Sequence, residues 1–263
     1  MIKFFRKIRQ ELLSENKTGK YLKYAIGEIV LVVIGILIAL SINNWNEKGK
    51  EIEQEQIILK QLKEDYESNL VQLENKIEMR RQLIRQSLDI LEMASKPITI
   101  SSDSLSIRFA TFLMDPTFDP IDNDLVSSGE IKLIRNDSIK RFLSHWTSDI
   151  KAYIESEQIQ HDHYISEIIP FMKEVGIFRN ANHMFWNSQK LRMGFLDKGI
   201  NSRVLTPGKS SKEINTQSIF KNPQLEGLVT FVFMYSQVCN LEGQTLKKKM
   251  QQILEVIESE IEE

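Results

Sequence analysis

Glu157 and His161 stand four residues apart, a spacing that sets a carboxylate beside an imidazole on one side of a helix. Such a pair can hold a metal or tune a base. No second pair with ligand spacing accompanies it, and no Glu-x-x-His repeat of the kind that builds a di-iron bundle occurs. The expectation is therefore a buried ion pair or hydrogen bond that fixes helix register, with no metal and no cofactor. His161 and His163 lie about 200° apart around a helix axis and cannot face one ion. His163 is expected on the solvated face.

Other residues with chemical potential lack the context that chemistry needs. Cys239, the single cysteine, falls on an apolar stripe, where a thiol behaves as a small buried hydrophobe. Carboxylates at 115, 119, 122 and 124 lack the central Gly and terminal Glu of a calcium loop, and read as turn chemistry. Ser127-Ser128-Gly129 is no nucleophile elbow and Thr18-Gly19-Lys20 no phosphate loop. The run from Met79 to Arg85 is expected as a solvated basic patch. No catalytic residue emerges, and the chain is not expected to be an enzyme.

The elements that carry these residues begin with a membrane segment. From Ile29 to Leu40 every residue is apolar or Gly, and the stretch extends over 24–42 if Glu28 and Ser41 are admitted, about one bilayer crossing. Residues 1–43 carry a charge of +4 and the remainder −6, beneath a net charge of only −2. The positive-inside rule puts the N-terminus in the cytoplasm and the C-terminal region outside. A cleaved signal peptide is the competing reading, because Ala39-Leu40-Ser41 loosely fits a cleavage site; the long basic region and long apolar stretch argue against it. Residues 1–23 place Phe5, Ile8 and Leu12 on one helical face among basic residues, as a surface helix on an anionic leaflet would.

Within the span, Gly27, Gly35 and Ala39 share one stripe, and small residues four apart let helices approach closely, which suggests self-association. Glu28 is an intramembrane carboxylate, or marks the inner boundary at headgroup depth. Trp45, among Asn43, Asn44 and Asn46, is an interfacial anchor.

The stretch Lys23-Tyr24-Ala25-Ile26-Gly27-Glu28 through Leu40, followed by Ser41-Ile42-Asn43-Asn44-Trp45-Asn46-Glu47, resembles the N-terminal signature of a family of uncharacterised bacterial single-pass inner-membrane proteins. Met1-Ile2-Lys3-Phe4-Phe5-Arg6-Lys7-Ile8-Arg9 resembles that family too, and so, more weakly, does Leu125-Val126-Ser127-Ser128-Gly129-Glu130-Ile131-Lys132-Leu133-Ile134. The resemblance implies an inner-membrane anchor with no established activity.

Beyond the span, apolar residues at 59, 62, 66, 70, 73, 77, 84, 88 and 91 predict a long amphipathic helix over 43–95 that continues from the membrane as a stalk. Lys96-Pro97 stops it, and Asp103 is expected to cap a short helix to about Met114. Asn136-Asp137 caps a second long helix whose stripe runs Phe142, Trp146, Ile150, Tyr153, Glu157, His161, Tyr164, Ile168 and Phe171 until Pro170 kinks or ends it. Residues 176–222 read as a loop-rich crossover with a short helix. Asn222-Pro223 opens the last helix, whose stripe only Glu242 interrupts. Residues 97–100 carry the only strand-like pattern.

With 11 Gly and 6 Pro in 263 residues, and 41% apolar residues, composition favours helices with a core and excludes disordered and disulfide-scaffold classes. The expected architecture is all-α: a cytoplasmic segment (1–23), a transmembrane helix (24–42), a stalk (43–95) and the rest of an outer antiparallel bundle (96–263). Its expected partners are the lipid bilayer, a second copy through the membrane or stalk helix, and an unidentified envelope protein. The acidic outer charge argues against nucleic acid. The expected role is a non-enzymatic interaction or structural module in the periplasm; the alternative is a ligand sensor that signals through a separate membrane partner.

Overall fold

The computed structural model describes residues 18–96, 99–121, 125–188, 191 and 205–262. Most of the amphipathic segment expected over 1–23 lies outside them, as do Asp122 and Asp124. The regular elements described are all helical: α1 (Thr18–Ala94), α2 (Ser102–Thr111), α3 (Leu125–Ser128), a 3-10 turn (Glu130–Leu133), α4 (Asp137–His163), a π segment (Tyr164–Ile168), α5 (Ile169–Glu174), α6 (Phe178–Asn187), α7 (Thr216–Phe220) and α8 (Pro223–Glu260). Positions 99 and 100 of the strand-like pattern form no strand.

Two compact units divide the chain, one up to Ile57 and one from Ile58 onward. The described part of the first unit is helix. Every residue from Ile29 to Gly49 is exposed, including the whole apolar run to Leu40. By length and composition this is a helix able to cross a membrane.

The second unit is a helical bundle, and local chemistry sets its boundaries. Ser95 closes α1 by directing both its N–H and its hydroxyl to the Leu91 carbonyl. The cap of α2 is Ser101, whose hydroxyl accepts from the Ser104 N–H at 3.1 Å; Asp103, the expected cap, lies in the first turn instead. Asn136 caps α4 and Asn222 caps α8, with Pro223 opening the latter. Pro170 does not end the helix. The π segment precedes it, with the Ile169 N–H reaching back to the Tyr164 carbonyl, so the missing Pro170 donor falls where the helix changes its pairing and α5 continues.

Register follows from the contacts. Tyr66 packs edge-on to Trp146, and Arg80 meets Tyr153 and Glu157, so α1 and α4 run in the same direction. Lys63 pairs with Glu258 and Glu74 with Lys247, so α8 runs antiparallel to α1. Asp149 pairs with Lys249 while Gln160 meets Ser236, so it runs antiparallel to α4 as well. Because α1 and α4 are parallel, the connection between them must travel back along the bundle, and residues 112–121 do so.

The core is two apolar clusters. One gathers Met79, Leu83 and Ile90 of α1 with α2, α5, α6 and the first half of α8; the other gathers Leu59 to Ile77 with most of α4 and the second half of α8. Between them lie Arg80, Glu157, Gln160 and Ser236, all buried. The α1 stripe departs from expectation beyond Ile77. Arg80, Leu83, Ser87 and Ile90 are buried, whereas Leu88 is 49% exposed and Ile84 and Leu91 are half-buried. The helical row continues through two polar residues, so following apolar residue types alone leads off it.

Candidate functional site

The most chemically concentrated place in the bundle is the layer between the two clusters. Arg80 is fully buried, which corrects its reading as part of a solvated basic patch. Its guanidinium donates to the Tyr153 hydroxyl at 2.5 Å, to the Glu157 carboxylate and to the Pro116 carbonyl. The second oxygen of Glu157 accepts from the Phe118 N–H at 2.9 Å. One backbone segment is thus gripped from both sides by an ion pair that bridges α1 and α4.

Burial pushes the Glu157 carboxyl above its ordinary range, partly countered by Arg80 and the Phe118 N–H. Burial works against the Arg80 charge too, but the facing Tyr153 and Glu157 hold its pKa above the usual value. Burial likewise raises Tyr153 and keeps its hydroxyl protonated. Cys239, buried in the adjoining cluster, has its thiol pushed up to about 11, chiefly by burial, which leaves it protonated and a poor nucleophile.

Glu157 and His161 do sit on one side of α4, as their spacing predicts, but they do not pair with each other. His161 Nδ1 meets the Asp115 carboxylate at 2.5 Å, one turn from the Arg80 contact. The segment is fastened further along by Gln72, which accepts from the Asp119 N–H at 3.0 Å. Asn69 accepts from the Ile121 N–H at 2.7 Å and donates to its carbonyl at 3.0 Å. The acidic loop is therefore turn and strap at its described positions. Among the described residues, no group of three or more His, Cys, Asp or Glu side chains is placed to hold a metal.

His163 is not on a solvated face. Its ring stacks on Phe231 with centroids 3.9 Å apart, and Nε2 lies 3.4 Å from the Leu228 carbonyl. Burial lowers its pKa, against the Leu228 carbonyl and Glu167, which raise it. A depressed histidine contributes stability that is full above its ordinary 6.5 and is lost as pH falls through its lower folded value. His163→Gln is accordingly expected to flatten the fall in unfolding temperature between about pH 7 and about pH 5, measured by thermal denaturation against the parent chain.

Two glycines of α8 separate packing from helix propensity. A Cβ at Gly243 would lie 3.2 Å from the Tyr153 hydroxyl, itself pinned by Arg80, and 3.3 Å from an Ile77 side-chain carbon. A Cβ at Gly227 meets nothing within 4 Å. Gly243→Ala is expected to cost about 1–3 kcal/mol by overpacking. Gly227→Ala is expected to gain about 0.5–1 kcal/mol. Opposite shifts of the urea midpoint check the pair.

In the first unit, Gly27, Gly35 and Ala39 lie on the helix at their predicted spacing, and a Cβ at either glycine meets nothing within 4 Å. Glu28 is half-buried, and Trp45 is 79% exposed. The residues that sequence reasoning missed are Arg80, Tyr153 as an acceptor, Asn69 and Gln72. Arg80 carried a signal, since it follows Leu73 and Ile77 at helical spacing.

The architecture defines an all-α chain in which one helix combines a membrane-competent stretch with the first long helix of a bundle. Residues 28–97 match the model of a family of unknown function (DUF6090), so that part of the chain is similar to that family. No curated protein and no solved structure matches the chain.

Proposed function

We infer that this chain is a membrane-anchored, non-enzymatic interaction or structural module. Residues 24–42 cross the bacterial inner membrane, the N-terminus is cytoplasmic, and the bundle stands in the periplasm. The bilayer is its first partner. A second copy, through the Gly27, Gly35 and Ala39 stripe or the stalk helix, and an unidentified envelope protein are the others. One observation carries the reading. Within α1 the apolar run from Ile29 to Leu40 is exposed throughout, while further along the same helix Leu59, Leu62, Tyr66, Leu73 and Ile77 are buried at helical spacing. Apolar surface of that extent is costly in water and stable in lipid.

Reporters fused to the C-terminus test the orientation: a periplasmic reporter is expected to be active there and a cytoplasmic one silent. An active cytoplasmic reporter, or a mature chain beginning just after Ser41, overturns the reading.

A shallow cleft favours the alternative, a ligand sensor. It encloses about 240 Å³ between α4 and α8 and is lined by Asp149, Tyr153, Glu242, Thr245 and Lys249. One Glu242 oxygen is sealed from solvent without a hydrogen-bond partner. Ligand screening by thermal shift distinguishes this reading, because a ligand bound there would raise the unfolding temperature of the parent but not of Glu242→Gln.

A further inference from the structure

We propose that the cleft between α4 and α8 binds a primary ammonium group carried on a short uncharged body, with Glu242 as its counter-ion. The assignment deepens the ligand-sensor reading above, and rests on it for what the binding would do. In the antiparallel register of the two helices the cleft runs from Asp149 and Lys249 at one end to Tyr153 and Glu242 at the other, about 10 Å along α8 at 1.5 Å per residue. Ala152 and Leu246 supply apolar wall between the ends.

Most of the polar groups that line it are already committed. Lys249 is held by Asp149 at 2.7 Å, and the two charges cancel. The Tyr153 hydroxyl accepts from Arg80. Thr245 donates its hydroxyl hydrogen to the Leu241 carbonyl at 3.0 Å, which leaves its oxygen able only to accept. The Glu242 side chain makes no hydrogen bond or ion pair among the described residues, and one of its oxygens is sealed from solvent. What remains unanswered is one negative charge and a pair of acceptors, so the complementary ligand brings a positive charge and hydrogens to donate.

Geometry narrows the cation. Among the described residues no group of three His, Cys, Asp or Glu side chains is placed to hold a metal. A guanidinium makes its strongest contact as a fork across both oxygens of a carboxylate, and with one Glu242 oxygen sealed that fork cannot form. An ammonium is a compact donor with three hydrogens and needs one oxygen at a time. Glu242 and Thr245, three residues apart on one side of α8, present the open carboxylate oxygen and the hydroxyl oxygen together. A cleft of about 240 Å³ leaves room for a body of a few carbons along Ala152 and Leu246.

The test follows the Ala152 and Leu246 methyl resonances of the full chain in detergent. n-Butylammonium chloride is expected to shift both saturably, whereas n-butanol and potassium chloride at equal concentration are not, and n-butylguanidinium is expected to bind more weakly. Glu242→Gln is expected to weaken the binding about tenfold by removing the counter-charge, and the exposed change Thr245→Val severalfold. Nα-acetyl-lysine amide separates two sources of the same group: equal binding assigns the ammonium to a lysine of another chain, and no binding assigns it to a free amine. No saturable shift in the parent, equal shifts with n-butanol, or an unchanged affinity in both variants with their spectra otherwise native overturns the assignment. A cleft that binds only a compound without an amine overturns the ligand class and leaves the sensor reading standing. n-Butylammonium bound as expected, with the resonances of Ile29 to Leu40 unmoved, upholds the ligand class and overturns the sensor.

Discussion

Glu157→Gln is expected to destabilise the bundle by about 3–5 kcal/mol, because it leaves the Arg80 charge buried without its counter-ion. Arginine cannot shed its proton to escape that cost. The reverse change, Arg80→Met, strands a carboxylate that can neutralise itself, so its expected penalty is smaller. Replacing both, as Arg80→Met with Glu157→Leu, removes charge from the interior altogether and is expected to recover part of the loss, the rest being the Phe118 N–H and Pro116 carbonyl left without their partners. Urea unfolding of the full chain in detergent, run on the parent and these three variants, yields the coupling directly. A Glu157→Gln penalty below about 1 kcal/mol would mean that the guanidinium reaches water, and would remove the buried layer from the account.

Val33→Arg combined with Leu37→Arg is expected to abolish stable membrane insertion. Each arginine costs about 2.5–3.5 kcal/mol at the centre of a spanning helix, and together they outweigh several leucines and isoleucines. Alkaline extraction measures the result: the parent is expected to stay in the pellet and the double variant to leave it. Asn46→Arg, just beyond the expected span, is the control and should leave partitioning unchanged. A double variant that pellets like the parent would show that this stretch is not what holds the chain to the bilayer.

The long helices were legible because their apolar residues recur at an unbroken helical period. Trp146, Ile150, Tyr153 and Glu157 fall on the buried side of α4 as that period requires, and Asn136 and Asn222 cap as their types suggest. The α1 row departs from its apolar pattern after Ile77 because it passes through Arg80 and Ser87, whose types say surface while their positions say core. The partner of Glu157 is therefore a residue whose type points to the surface. Spacing along one helix correctly set Glu157 and His161 on one side but said nothing of what faces them, and their partners lie 77 and 46 residues away. His163 departs from its expected solvated face for a related reason: its neighbour Phe231 belongs to a helix that returns from the far end of the chain.

The strap from Asp115 to Ile121 is held by its main chain together with two inward side chains, the Asp115 carboxylate on His161 and the buried Phe118 ring edge-on to Tyr153. Asn69, Gln72, Arg80 and Glu157 bond to peptide groups of Ile121, Asp119, Pro116 and Phe118 rather than to their side chains. The outward side chains of Thr117, Asp119 and Ile121 therefore play no part in keeping the segment where it is. Its path is written in the two helices beneath it, and its surface chemistry in its own residues. These two properties can change independently, so the strap can acquire new surface character while its course over the bundle stays the same.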